Sequence, residues 1–167
     1  MPLNSMRELI RQELEELYGA EQLVMEALSR MARAAYSEDL KADLEEHLEV
    51  TRLQLERLRQ IFRSLELEPV GRQSAGIGGL LSDSSEIMNS QGDPDVKDAA
   101  LIGAAQKIEH YEMAVYGTLR SHAIEAGFDD VAGLLQESLD EEAQTDELLT
   151  EIAEDDVNVR AAEKTLV

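Results

Sequence analysis

Four long stretches, residues 4–35, 37–67, 94–126 and 129–154, carry side chains that turn apolar every three to four positions. A helix advances about 100° per residue, so this spacing gathers one stripe per helix that must leave water against another helix. The stripes read Leu14, Leu17, Glu21, Met25, Leu28, Ala32; then Leu40, Leu44, His47, Thr51, Gln54, Leu58, Ile61, Leu65. The third is Leu101, Ala105, Ile108, Glu112, Val115, Tyr116, Leu119, and the fourth Val131, Leu135, Ser138, Glu142, Thr145, Leu149, Ile152. Punctuation agrees with the periodicity. Asn4 or Ser5 and Ser37 stand where N-caps belong, Pro69 and Gly71 stop the second stretch, Asp93-Pro94 opens the third and Gly127 ends it.

The links between stretches one and two, and between three and four, are only two or three residues long, which makes each pair an antiparallel hairpin. The middle link, VGRQSAGIGGLLSDSSEIMNSQGDPD, is long enough to travel the length of a bundle, and GGLLSDSSEIM within it predicts a short helix. The third stretch then starts parallel to the second. The expected fold is all-α: a ferritin-like four-helix bundle over residues 1–154, two antiparallel hairpins joined by a long crossover that contains a short helix. Residues 155–167 lack clear periodicity and read as a tail that frays or docks on a partner.

A chain of 167 residues supports one domain with a substantial core. Its net charge of −21 opposes nucleic acid and anionic membrane surfaces as partners. The Arg-rich run RLQLERLRQIFR, residues 52–63, reads as the solvated face of a helix. With no cysteine, disulfides, thiolate metal sites and cysteine nucleophiles are excluded. No transmembrane span or apolar signal segment is present, so the expected location is cytoplasmic, or a compartment whose targeting segment lies outside this sequence. The stretch GIGGL lacks the Lys-Ser/Thr of a phosphate loop, and no Gly-x-Ser-x-Gly occurs.

The informative residues are the polar ones that the stripes bury. If the first hairpin reverses near residue 36 or 37, Glu21 lies beside Thr51 and Gln54. If the second reverses near 127 or 128, Glu109 and Glu112 lie beside Glu142 and Asp146. Within each hairpin the polar residues thus fall at one level. Carboxylates converging in a dry core repel one another, and either they take up protons, pair with arginine, or enclose a multivalent cation. Bundle cores hold di-iron or di-manganese sites built from inward Glu on facing helices, and carboxylate oxygens suit iron or manganese. Glu109 with Glu112, and Glu142 with Asp146, are spaced three and four apart and share a helix face. The candidate metal residues are therefore Glu21, Gln54, Glu109, Glu112, Glu142 and Asp146, with His47 on the same face two turns from Gln54. Tyr18 and Tyr116 are candidate supports for the ligands, His110 and His122 read as surface residues, and Glu49 points to the opposite face.

The stretches LEELYGAEQLVMEALSRMARAA, HLEVTRLQLERLRQIF, DAALIGAAQKIEHYEMAVYGTLRSHA and LLQESLDEEAQTDELLTEIA resemble the YciF-like (YciE/YciF) branch of the ferritin-like superfamily, EHYEMAVYGTL most specifically. The resemblance implies a rubrerythrin-like bundle, a homodimer, and a role in bacterial stress response. The superfamily places one Glu on the first helix, Glu-x-x-His on the second, Glu or Glu-x-x-Glu on the third, and Glu-x-x-Glu/His on the fourth. Glu21, Glu109 with Glu112, and Glu142 match, and Asp146 stands where rubrerythrins carry histidine. Thr51 and Gln54 depart from the second-helix pattern. Two functions follow as expectations: metal binding or oxidant chemistry at a carboxylate-rich site, or a non-catalytic helical interaction protein whose site has degenerated. An iron-storing cage is a third.

Overall fold

A computed structural model describes residues 3–164 of the chain. The four expected helices are α1 (Met6–Ala34), α2 (Glu38–Ser64), α4 (Pro94–Glu125) and α5 (Asp129–Ile152), and the crossover carries α3 (Ala75–Asn89), longer than the segment predicted. Ser5 caps α1, its hydroxyl accepting from the Glu8 amide, and Asp93 caps α4 through the Asp95 amide. Ser37 precedes α2 without such a bond. Helix α2 ends before residue 67 because Glu66 turns left-handed, at φ 57°, and the Leu67 amide bonds back to the Phe62 carbonyl. Gly127, at φ 77°, makes the corresponding exit from α4.

Helices α1 with α2 and α4 with α5 form the two antiparallel hairpins, and α4 starts beside the end of α1, as a single long crossover requires. That junction is fixed by Asp98. Its buried carboxylate accepts from the Tyr36 amide at 3.0 and 3.1 Å and from the Ser37 amide at 2.6 Å, satisfying donors that the α1–α2 turn leaves open. The crossover lies close on α1: Arg72 donates its amide to the Glu15 carbonyl at 2.7 Å, and a Cβ on Gly19 would overlap the Arg72 backbone.

The C-terminal segment differs from its expectation. It continues from α5 as one wider turn, Ala153–Val157, and a short helix α6, Asn158–Glu163. Ala153 and Val157 are buried, Arg160 Nε donates to Asp95 Oδ1 at 2.9 Å, and Lys164 Nζ lies 3.3 Å from Asp95 Oδ2. The segment therefore docks on the start of this chain's own α4. No periodic stripe announced it because two apolar contacts and one charge cluster suffice.

The apolar core is divided. One cluster includes Val24, Leu28, Met31, Leu44, Leu101, Ile108 and Leu149; the other includes Leu14, Leu17, Leu58, Phe62, Tyr116, Leu119 and Leu135. Between them the stripes carry their polar residues. No helix among the described residues is long and apolar enough to cross a membrane.

Candidate metal centre

Each of the four main helices brings polar side chains to the level between the apolar clusters. Helix α1 supplies Glu21, α2 supplies His47, Thr51 and Gln54, α4 supplies Glu109 and Glu112, and α5 supplies Glu142. The carboxylates and Gln54 are fully buried and His47 is 3% exposed. Helical spacing explains the grouping: His47, Thr51 and Gln54 share a face of α2, as Ile108, Glu109 and Glu112 do on α4.

His47 bridges two of the carboxylates. Its Nδ1 lies 3.5 Å from Glu109 Oε1 and its Nε2 3.3 Å from Glu142 Oε2. One ligand atom from each of these three residues can be chosen so that all lie within 4.8 Å of one another, a span that one cation can fill. Gln54 Nε2 donates to Glu142 Oε1 at 2.6 Å, which aims the other Glu142 oxygen toward His47. Tyr116, completely buried, donates its hydroxyl to Glu21 Oε1. Several atoms remain without a hydrogen-bond partner: Glu21 Oε2, both oxygens of Glu109 and of Glu112, Glu142 Oε2 and His47 Nε2. Buried polar atoms left this way cost free energy, and among them the ligand atoms of His47, Glu109 and Glu142 are placed so that they could hold a metal ion.

The electrostatics say the same. Burial, then the negative charge of Glu142, pushes the carboxyls of Glu21 and Glu109 well above the ordinary range; Glu112 is raised by burial and then by Glu21 and Glu142. Burial followed by the Glu21 charge likewise raises the Tyr116 phenol. Without a counter-charge these groups favour their neutral forms, and a multivalent cation would reverse that preference.

The predicted residues divide accordingly. Glu21, Gln54, Glu109, Glu112, Glu142 and His47 lie in the central layer; among the described residues the three-residue group takes in His47, Glu109 and Glu142, and Glu21, Glu112 and Asp146 stand outside it. Asp146 is 22% exposed on the shoulder of α5, where His110 Nδ1 lies 3.3 Å from its Oδ1. Tyr18 also lies away from the layer: it accepts from Arg59 at 2.9 Å and packs edge-on against Phe62. Glu49 and His110 are exposed, but His122 is half-buried against Glu13 at 2.8 Å. The Arg-rich run is not uniformly solvated. Arg57 turns inward, pairing bidentately with Glu141 at 2.8 Å and donating to Ser138 at 2.7 Å.

Sequence reasoning also missed Asp43, one turn before His47. Burial pushes its carboxyl up to about 6, although the neighbouring His47 works the other way. It lines a cavity of about 90 Å³ between α2 and α5, together with Glu46, His47, Val50, Glu141, Gln144, Thr145 and Leu148. The signal that could have found it is the spacing 43, 46, 47, 50 facing 141, 144, 145, 148.

Residues 5–162 match the family described as a domain of unknown function, DUF892. Protein YciF of Escherichia coli (strain K12) is 41% identical over 152 residues, 90% of this chain and 92% of that protein. The crystal structure of the E. coli stress protein YciF superposes with a TM-score of 0.90 at 38% identity, covering 93% of this chain and 99% of the other. YcfI from Rhodopseudomonas palustris gives 0.86 at 38% identity, covering 89% and 94%. A protein from Xanthomonas campestris pv. campestris gives 0.77 at 22% identity, covering 98% and 100%, and bears on the fold alone.

Proposed function

The chain belongs to the DUF892 (YciF-like) family, and on that premise we propose that it is a stress-response protein whose bundle holds iron or manganese among Glu21, His47, Glu109, Glu112 and Glu142. The stress role is carried over from the description of E. coli YciF as a stress protein. The metal reading rests on one observation above the others: ligand atoms of His47, Glu109 and Glu142 lie within 4.8 Å of one another, and buried oxygens of these two glutamates, of Glu21 and of Glu112 have no hydrogen-bond partner.

The donor set fits the ion. Carboxylate oxygens with one imidazole nitrogen suit divalent iron or manganese better than a thiolate-seeking metal. Glu109 and Glu142 with His47 form one group, and Glu21 and Glu112 supply the remaining oxygens. Four carboxylates in a dry layer are neutralised by two divalent ions, whereas one ion requires two retained protons. Gln54 and Tyr116 orient Glu142 and Glu21 by direct hydrogen bonds, the role that outer partners of metal ligands commonly play. Bound iron or manganese would supply one-electron redox chemistry toward oxygen or peroxide. The residues around it exclude water and hold the charge. Asp146 lies outside this grouping.

Anaerobic loading with Fe(II) or Mn(II), followed by elemental analysis, tests the reading. One or two ions per chain are expected in the wild type, and Glu142→Ala should lose them. A wild-type protein without stoichiometric metal would overturn it.

The second reading, a non-catalytic interaction protein, is favoured by Gln54, an uncharged amide that satisfies one Glu142 oxygen without any ion. It predicts no metal-dependent rise in melting temperature, whereas the first predicts a rise of several degrees at saturating metal.

A further inference from the structure

We propose that the cleft between α2 and α5 is the passage by which a divalent cation reaches the central layer, with Asp43 and Glu46 receiving it and His47 at the inner threshold. The proposal deepens the metal-holding reading and rests on it.

The walls are two facing helical stripes, Asp43, Glu46, His47 and Val50 on α2 and Glu141, Gln144, Thr145 and Leu148 on α5. At about 90 Å³ the cavity accommodates a partly hydrated ion, since one water needs only about 10–15 Å³ measured this way. Its inner wall includes His47, whose nitrogens face Glu109 and Glu142. The groove between α1 and α4, lined by Glu13, Glu16, Tyr111, Ala114, Val115 and Thr118, contains no member of the central layer.

Other directions are poor for an ion. Along the bundle axis the layer is bounded by the two apolar clusters, through which a divalent ion would travel stripped of water and of any ligand. The cleft offers oxygen donors instead. Glu141 is already paired bidentately with Arg57, so the uncompensated negative charge in the cleft comes from Asp43 and Glu46. Asp43 Oδ2 is buried without a hydrogen-bond partner, and so is His47 Nε2, one turn or about 6 Å along the helix. An ion moving inward would thus exchange water for a carboxylate, then for an imidazole, then for the buried glutamates.

The test is uptake of Mn(II) by the full-length protein, followed by loss of the EPR signal of free Mn(II) after rapid mixing, and its extraction by a chelator. In Asp43→Asn/Glu46→Gln, uptake should slow by about tenfold, in the range by which charged clefts accelerate association. Extraction should slow equally, because the ion leaves by the same route, and the final Mn(II) ratio should be unchanged. Thr145→Leu, which narrows the cleft without altering charge, should slow both processes. Glu26→Gln/Glu125→Gln, which removes the same charge from exposed positions elsewhere, should change neither.

Equal slowing in the two double variants would reduce the effect to general attraction and overturn the proposal, as would an unaltered rate in Asp43→Asn/Glu46→Gln. Loss of bound Mn(II) in that variant would make these residues ligands and likewise overturn a role in passage. Wild-type protein that binds no Mn(II) removes the metal-holding reading and the passage together; normal binding with unaltered variant kinetics removes the passage alone.

Discussion

His47 lies between Glu109 and Glu142, each imidazole nitrogen within 3.5 Å of a carboxylate oxygen on a different helix. This relation joins α2, α4 and α5 across the layer where the apolar core is interrupted. Its energetic meaning differs sharply between a protein with a cation and one without.

Without metal, the glutamates oppose folding. Glu112 has two buried oxygens and no hydrogen-bond donor for either. Glu112→Leu should therefore stabilise the metal-free protein by about 1–4 kcal/mol, as replacement of a buried ionisable group without partners by apolar volume often does. The same variant should bind less metal. Urea unfolding in EDTA, paired with elemental analysis after loading, reads both; destabilisation together with full metal content would refute the assignment.

The pH dependence has a definite sign. Glu21, Glu109 and Glu112 have folded-state pKa values above their unfolded values, as does Asp43 at about 6. The folded chain then holds more protons than the unfolded chain once pH exceeds about 4, the ordinary carboxyl range. Stability of the metal-free protein is fully supported below that range and is lost as pH rises through the folded values. The urea midpoint in EDTA should be higher at pH 5 than at pH 8, and Glu109→Gln/Glu112→Gln should flatten the difference. Metal binding requires the ionised forms, so the stabilisation that metal confers should grow in the opposite direction.

Asp98 offers a test of the fold independent of the centre. Its carboxylate satisfies the Tyr36 and Ser37 amides at the α1–α2 turn. Asp98→Ala should cost about 2–4 kcal/mol, because hydrogen bonds to charged groups contribute more than neutral ones and two donors lose their partner. A fall in melting temperature of roughly 5–10 °C is expected for a domain of this size. Asp98→Asn should recover part of it, and metal content should be unaffected.

Two helix-interior glycines should respond with opposite signs. Gly19→Ala drives a methyl into the Arg72 backbone and should destabilise by about 1–3 kcal/mol as the crossover is displaced. A Cβ at Gly103 meets nothing within 4 Å, so Gly103→Ala should stabilise α4 by about 0.5–1 kcal/mol. Thermal melts of the two variants decide; similar shifts would mean that the crossover does not press on α1.

The four-helix architecture could be read from the sequence because apolar period, caps and link lengths all agreed, and Leu40 through Leu65 is buried as the stripe required. The level of Glu21, Glu109, Glu112 and Glu142 was also readable, since hairpin reversal fixes which residues face each other. The ring of His47 was harder to place. Counting turns separated it from Gln54, but both side chains reach Glu142, one at each oxygen. Asp146 lies on the shoulder of its stripe, as the spacing allowed, and its position beside His110 on the neighbouring helix was not readable from either stripe alone. Arg57 and the C-terminal segment escaped because long-range charge pairs leave no periodic trace in a chain where nearly every helix is charged.

The division of the core into two apolar halves would tie the endurance of this protein to the ion proposed above. A bundle that must keep protons on the buried carboxyls of its waist opens more readily as pH rises than one drawn together there by a cation, and open chains are what proteases remove. With the ion proposed above, abundance of the protein would follow metal supply through turnover alone, and a cell short of that metal would clear the empty chains without any dedicated sensor.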